Sequence, residues 1–293
     1  MDNFNVYKDM QARTKGEIYI GVVGPVRTGK STFIKRFMEL AVLPAMEDES
    51  LKAVSTDELP QSAGGKTVMT TEPKFIPKEA VQITLGDGIQ AKVRLIDCVG
   101  YMVDGAAGHV ENGEERMVKT PWSEKEIPFT QAAQIGTRKV IGDHSTIGIV
   151  VTTDGSVGEL KRSAYIDAEK QTVDELKKLG KPFILLLNST KPYSDETLKL
   201  AEQLAADYGV TVLPVSCEQL KKEDIFHILE SVLKEFPVTQ LDFHIPKWLE
   251  VLPATHWLKT QVIDMARELL KKVSHMKDAA SQIKTFGGSS GPV

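Results

Sequence analysis

Runs of apolar residues alternate with amphipathic stretches along most of the chain. Six short segments rich in apolar residues predict strands, and several are continuously apolar as in buried parallel strands: residues 18–23, 82–85, 92–96, 147–152, 183–188 and 211–214. Four amphipathic stretches between or after these runs predict helices: residues 32–40, 165–179, 195–208 and 223–236. This alternation predicts an α/β fold with a mainly parallel sheet and helices on both faces.

A turn signal joins the second and third predicted strands. The residues are Gly86-Asp87-Gly88, and they favour a hairpin between the two runs. One edge strand of the sheet is therefore expected to be antiparallel. Two long polar, glycine-rich stretches, residues 47–77 and 99–143, break the regular alternation. We expect them to be functional loops or mobile regions.

The C-terminal part of the chain carries a different pattern. Apolar residues recur every three or four positions and predict one long amphipathic helix: Leu258, Val262, Met265, Leu269, Val273, Met276, Ala280 and Ile283. We expect this stripe to pack on its own domain or on a further segment, with self-association or a membrane surface as the alternative. The domain prediction is 1–240 for the sheet domain, 241–286 for a helical extension and 287–293 for a linker or cleavage scar.

Glycine-rich sequence between the first strand and the first helix has a fixed order of residue types. It reads Gly24, Pro25, Val26, Arg27, Thr28, Gly29, Lys30 and Ser31, followed by Thr32. This order predicts a nucleotide-binding P-loop, in which successive backbone N–H groups point at phosphate oxygens. Lys30 is expected to reach the β- and γ-phosphates, and the Ser31 hydroxyl is expected to bind Mg²⁺. The predicted fold is thus a P-loop NTPase of GTPase-like topology.

The third strand ends in Asp-x-x-Gly, which is typical of a Walker B strand that leads into a switch loop. Asp97 is placed to bind Mg²⁺, and the N–H of Gly100 is placed near the γ-phosphate. Upstream, Thr70 and Thr71 lie in the long loop before the second strand, where a threonine can close over Mg²⁺. A polar loop with incidental threonines is the alternative for that pair.

At the base-recognition position the chain departs from the GTPase pattern. The fifth strand ends in Asn188 and is followed by Ser189, Thr190 and Lys191, whereas a guanine site has a carboxylate at the last position. Lys191 is a donor and would face the donors of guanine, so we expect guanine specificity to be lost. Ser216, after the next strand, is expected to bracket the base.

Two further residues bear on turnover. Tyr101 follows Gly100, where GTPases often carry a glutamine that orients the attacking water, so intrinsic hydrolysis is expected to be slow. Arg27 stands inside the P-loop, and we hypothesise that its guanidinium stabilises transition-state charge in cis. A solvent-facing arginine is the alternative.

Charge and cysteine content exclude several classes of partner. The 36 Lys and Arg residues are mixed among 40 Asp and Glu residues, for a net charge of −4, so we do not expect nucleic acid to be a partner. The two cysteines, Cys98 and Cys217, have no metal or redox spacing, which favours a reducing cytoplasm. Apolar runs too short to cross a bilayer and an N-terminus without signal-peptide character predict that the chain neither spans a membrane nor is secreted.

The chain resembles the stage IV sporulation protein A family, the coat morphogenetic ATPases of endospore-forming bacteria. The features that carry the resemblance are the P-loop, the paired threonines, residues 95–101 and the altered Asn188 loop. The resemblance extends from the N-terminus to about Phe286. It implies a truncated form, without the membrane-targeting C-terminal region of the family. It also implies Lys30 as Walker A lysine, Asp97 as Walker B aspartate, and Thr70 and Thr71 as sensor threonines.

The resemblance carries expectations about activity and location as well. It implies ATP hydrolysis with Mg²⁺ on a translation-factor-type GTPase frame, used for irreversible self-assembly into a shell. The implied partners are further copies of the chain, a small membrane-bound amphipathic anchor protein and other coat proteins. The implied location is the mother-cell cytoplasm, peripheral on the forespore surface. A nucleotide-switched binding module, or a GTPase-like regulatory switch, is the alternative to an energy-coupled ATPase.

Overall fold

A computed structural model describes residues 16–60, 73–84, 90–106, 110–111 and 114–279. The strands in these ranges are, in chain order, β1 (Glu17–Val23), β2 (Lys74–Thr84), β3 (Gln90–Asp97), β4 (Val110–Glu111), β5 (Glu114–Glu115), β6 (Met117–Thr120), β7 (Ser123–Pro128), β8 (Ile147–Thr153), β9 (Phe183–Asn188) and β10 (Val212–Val215). Six of them form one sheet in the order β10-β9-β8-β1-β3-β2. Neighbouring strands are parallel except β2, which runs antiparallel to β3.

Helices surround this sheet and continue beyond it along the chain. In chain order they are α1 (Lys30–Phe37), α2 (Glu49–Asp57), α3 (Phe129–Lys139), α4 (Ile166–Lys178), α5 (Asp195–Tyr208), α6 (Lys222–Lys234), α7 (Lys247–Val251) and α8 (Trp257–Lys272). Local capping chemistry sets several of their ends. The Ser194 hydroxyl accepts from the N–H of Thr197 at the start of α5, and Gly209 ends that helix with a left-handed φ of 62°. In the described ranges, no helix combines the length and apolar content needed to cross a membrane.

The interior strands form the core because their apolar residues face helices on both sides. Every residue of β8 and β9 is buried. Val150, Leu185 and Leu187 pack in one apolar cluster with Val173 and Leu176 of α4. The parallel strands end at one edge of the sheet, so the segments that follow them are neighbours in space.

The sequence predicted this fold class correctly, and two elements, Phe183–Asn188 and Asp195–Tyr208, agree to the residue. The antiparallel pairing of β2 with β3 confirms the predicted hairpin, although its turn lies outside the described residues. The second strand was predicted too short, because β2 begins at Lys74. Its pairing with β3 shifts register between Ile76 and Val81, and this irregularity hides the apolar alternation.

The two stretches predicted as loops contain regular structure, and this prediction was wrong in part. The first contains α2, whose N-terminus is capped by the Asp48 carboxylate at 2.8 Å from the N–H of Ser50. The second contains two short hairpins and α3. In α3 the apolar side chains of Phe129, Ala132 and Ala133 are buried at helical spacing, but polar residues outnumber them over the length of the helix.

The chain divides into two compact units, Met1–Val232 and Leu233–Val293. The second unit contains α7 and α8. Backbone pairing between Pro237 and His275 and an ion pair of 2.9 Å between Lys277 and Glu235 close it on itself. The single long C-terminal helix was predicted too long, because α8 ends at Lys272 and Val273 takes an extended conformation. Ala280 and Ile283 of the predicted stripe lie outside the described residues.

Candidate functional site

A tight loop joins the end of β1 to the start of α1. Gly29 has φ of 99°, and a Cβ at this position would lie 2.3 Å from Nδ2 of Asn188, so the close approach requires glycine. Half-buried Arg27 has φ of 62°, a left-handed conformation that residues with a side chain rarely adopt. The Thr28 side chain is buried, and its hydroxyl donates to the carbonyl of Pro25 at 3.0 Å. The neighbouring strands thus hold this loop in a strained shape.

Lys30, the first residue of α1, points back under the loop. Its ammonium donates to the carbonyl of Pro25 at 2.6 Å and to that of Gly24 at 3.3 Å. Burial lowers the pKa of Lys30, and the negative charge of Asp97 partly opposes this. The lysine charge is therefore held at the centre of the loop by backbone groups.

Asp97 ends β3 beside the first turn of α1. Its Oδ2 lies 3.5 Å from the Ser31 hydroxyl, and its buried Oδ1 has no hydrogen-bond partner among the described residues. Burial raises the pKa of Asp97 to about 6, although the charge of Lys30 lowers it. A hydroxyl and a carboxylate with an unpartnered buried oxygen are ligands of the kind that Mg²⁺ prefers. Ser31 and Asp97 thus fit this ion.

Replacing Asp97 with Asn should change how the stability of the metal-free protein depends on pH. The folded protein keeps the Asp97 proton up to about pH 6, whereas the unfolded chain loses it near the ordinary pKa of 3.8. The folded state thus binds more protons between these values, and its stability falls as the pH rises through them. From about pH 4 to about pH 7, the free energy of unfolding of the parent should fall by about 2 kcal/mol relative to Asp97→Asn.

Urea unfolding at a series of pH values measures this difference. Asp143→Asn, on an exposed side chain, is the matched control for the amide substitution. A difference that stays flat or rises with pH would contradict a raised pKa at Asp97.

The segment after β3 lies directly on the loop. The Val26 N–H donates to the Tyr101 carbonyl at 2.9 Å. Tyr101 is buried, and its hydroxyl donates to Glu175 of α4. In GTPases this position often carries a glutamine that orients water. Here the tyrosine hydroxyl is instead hydrogen-bonded to a carboxylate 74 positions away in the sequence.

Asn188, at the end of β9, joins two loops. Its Nδ2 donates to the Thr28 carbonyl at 2.9 Å, and its Oδ1 accepts from the N–H of Cys217 at 3.0 Å. Ser216 precedes Cys217 and is half-buried beside this amide. Both ends of the Asn188 amide are thus used within the protein, to fix the P-loop against the segment after β10.

Two residues beside this edge were not singled out from the sequence. The Asp154 carboxylate, after β8, accepts from the N–H of Ser156 at 2.9 Å, and the Ser156 hydroxyl accepts from the N–H of Thr190 at 2.9 Å. An Asp-Gly-Ser tripeptide after an apolar strand favours such a turn and could have indicated it. These contacts hold the segment that leads to Lys191, whose side chain is exposed.

The structure brings most of the predicted site residues together at one edge of the sheet. The P-loop residues, Ser31 and half-buried Thr32 lie against Asp97 and Gly100, and Asn188 and Ser216 lie on the other side of the loop. Thr70 and Thr71 lie outside the described residues. The edge therefore offers a cation, an acidic group and a row of loop amides around one position.

Two family models match consecutive parts of the chain. Residues 1–237 match the family model described as the stage IV sporulation protein A ATPase domain, and residues 238–290 match the model of its middle domain. Curated relatives include stage IV sporulation protein A of Bacillus subtilis strain 168, 48% identical over 98% of this chain, and that of Bacillus anthracis, 49% identical over 98%. The protein of the same name from Clostridioides difficile strain 630 is 48% identical over 97%.

In each case the chain spans 58% of the length of the relative. The first matched model covers the P-loop, Asp97 and the Asn188 segment, and the two models together reach residue 290. On this evidence the chain belongs to the stage IV sporulation protein A family.

Proposed function

We propose that this chain binds ATP with Mg²⁺ and hydrolyses it, and that hydrolysis drives a conformational change for self-assembly into the basement layer of the bacterial spore coat. The observation that carries the catalytic part is the buried Lys30 ammonium under the P-loop, with the unpartnered Asp97 oxygen beside Ser31. The assembly part rests on membership of the family. By that membership we also propose docking to a small membrane-bound anchor protein and to other coat proteins, at the forespore surface.

The proposed roles follow from the chemistry of each side chain. Lys30 would bind the β- and γ-phosphates as a fixed positive charge, and the loop amides would bind the remaining oxygens. Ser31 and Asp97 would hold Mg²⁺, with Thr70 and Thr71 as proposed sensors of the γ-phosphate. The ion would neutralise the charge of the phosphate oxygens. Arg27 is proposed to add positive charge from its place inside the loop.

Selection of adenine over guanine is proposed to depend on Lys191. A guanine site relies on a carboxylate at this place, and the chain offers an ammonium on an exposed side chain instead. The Asn188 amide is held by Thr28 and Cys217 and supports the loop. A base whose buried donors are mispaired can be rejected by a factor on the order of 10⁴, and this disfavours guanine and supports ATP as the substrate.

Competition between ATP and GTP tests the base preference. The parent chain should bind ATP more tightly, and Lys191→Asp should improve the affinity for GTP relative to ATP by about tenfold or more, because it restores an acceptor for guanine. Lys199→Asp, on the exposed face of α5, makes the same change of charge and should leave the ratio unaltered. Displacement of a fluorescent nucleotide measures both affinities. Tighter binding of GTP by the parent would contradict the proposal.

A further inference from the structure

We propose that Tyr101 is a positioning residue for hydrolysis: its side chain, held by Glu175 and Arg138, fixes the backbone of residues 100 and 101 against the P-loop. This inference rests on the proposed ATPase function and adds one residue that acts in the same site. It concerns the position after Asp-x-x-Gly, where a tyrosine stands in place of the usual glutamine.

The backbone of this segment is joined to the P-loop at two consecutive residues. Pro25 and Tyr101 form a parallel bridge, and the Val26 N–H donates to the Tyr101 carbonyl at 2.9 Å. A Cβ at Gly100 would lie only 2.0 Å from the Gly24 carbonyl oxygen, so the two loops are packed backbone to backbone. A shift of Tyr101 would therefore move Gly100, whose N–H is proposed to face the γ-phosphate.

The Tyr101 side chain anchors this segment to two helices. Its ring is 1% exposed and packs with Val26 and Tyr165 in an apolar cluster. Its hydroxyl donates to Oε2 of Glu175 in α4, and Oε1 of Glu175 accepts from Nε of Arg138 in α3 at 2.9 Å. Burial and the adjacent carboxylate raise the pKa of Tyr101, so the hydroxyl remains a donor at neutral pH.

Through these contacts the hydroxyl anchors the backbone of the segment and takes no direct part in the reaction. Because it is committed to Glu175, it cannot also orient a water molecule at the phosphate in the way a glutamine does. Its effect on the reaction passes through the backbone of Gly100. Misplacement of a reacting group by about 1 Å can cost on the order of 10²-fold in rate, so a lost anchor should appear in kcat.

The chain contains a matched control for this network. The hydroxyl of Tyr208 donates to Oε1 of Glu169 at 2.9 Å, and Arg162 binds the same carboxylate at 2.6 and 2.7 Å. Glu169 and Glu175 both lie on α4. Within the described residues, this second network makes no hydrogen bond to the P-loop. The two tyrosines thus share their chemistry and differ in the link to the loop.

Steady-state phosphate release tests the inference. Tyr101→Phe should lower kcat about tenfold and leave the KM for ATP within about twofold, because it removes a positioning contact and keeps the packed ring. Glu175→Gln should reduce kcat in the same way, and the double variant should fall no further than the worse single variant. Tyr208→Phe should leave both parameters within about twofold of the parent.

Hydrogen exchange in the nucleotide-free protein supplies a readout that does not depend on activity. Amides of residues 97–103 should exchange about tenfold faster in Tyr101→Phe and Glu175→Gln than in the parent or in Tyr208→Phe. Equal exchange in all four proteins, or equal kcat in both tyrosine variants, would overturn the inference. Turnover in the parent with an unaffected Tyr101→Phe variant would leave the proposed function standing. Absence of ATP turnover in the parent would remove that function, and the positioning role with it.

Discussion

Lys30→Ala is expected to lower kcat/KM for ATP by about a hundredfold or more, because the substitution removes the buried positive charge that is proposed to bind the β- and γ-phosphates. It also removes the ammonium hydrogen bonds to the carbonyls of Gly24 and Pro25, of which the second keeps its bond from the Thr28 hydroxyl. Steady-state release of phosphate measures the loss. Lys35→Ala is the matched control on α1, since its exposed side chain lies 3.9 Å from Glu39 and adds little to stability.

The Lys30 variant also separates the two classes of function. A variant that is saturated with ATP, hydrolyses none and fails to assemble agrees with an energy-coupled ATPase. If it hydrolyses none but assembles like the parent when ATP is present, hydrolysis is not the driver, and a nucleotide-switched binding module is favoured. Unchanged turnover in Lys30→Ala would refute the assigned role of the lysine.

Gly100→Ala should be the most damaging change of a single methyl group in the site. The added Cβ would lie 2.0 Å from the Gly24 carbonyl oxygen and 2.7 Å from Nζ of Lys30, at a φ of 92° that disfavours a side chain. The two loops must separate to admit it, so turnover should fall by about a hundredfold or more. The free energy of unfolding should fall by about 3 kcal/mol, as expected when a packed site is overfilled.

Gly180→Ala is the control that separates the clash from the backbone strain. Gly180 also has a positive φ, of 63°, but no heavy atom lies within 4 Å of its added Cβ. The control should lose about 1 kcal/mol of stability and keep its turnover, because it has strain without a steric conflict. Urea unfolding and phosphate release measure both variants. Equal losses in the two proteins would show that the loops do not pack as closely as the structure indicates.

Much of the sheet domain could be predicted from the sequence because apolar residues recur with a clear period along its strands and helices. The strand Phe183–Asn188 is apolar up to its final asparagine, and Asp195–Tyr208 begins after Ser194 and ends before Gly209, so the bounds of both elements follow from local chemistry. By contrast, α3 lies in a stretch dominated by polar residues. Its buried stripe of Phe129, Ala132 and Ala133 is weak because two of the three side chains are small.

The candidate site divides in the same way. The order of residues from Gly24 to Ser31 indicated a phosphate-binding loop by itself, because few other backbone shapes need glycine, lysine and serine at that spacing. The role of Asn188 did not follow from its position. The GTPase pattern predicts contact with the nucleotide, and the structure adds that the amide joins Thr28 to Cys217 within the protein.

By itself, the sequence determined the kind of fold and the place of the glycine-rich loop that is proposed to bind phosphate. It also determined the acidic residue at the end of β3 and the lysine at the place that is proposed to read the base. Each of these depends on residue types within a short window, where backbone chemistry and periodicity act locally. Only the tertiary structure decided that Tyr101 is tied to Glu175 and Arg138, and that Asp97 keeps a buried oxygen without a partner in the described part of the chain. Tyr101 and Glu175 stand 74 positions apart, and they meet only because the parallel strands bring their following loops and helices to one edge of the sheet.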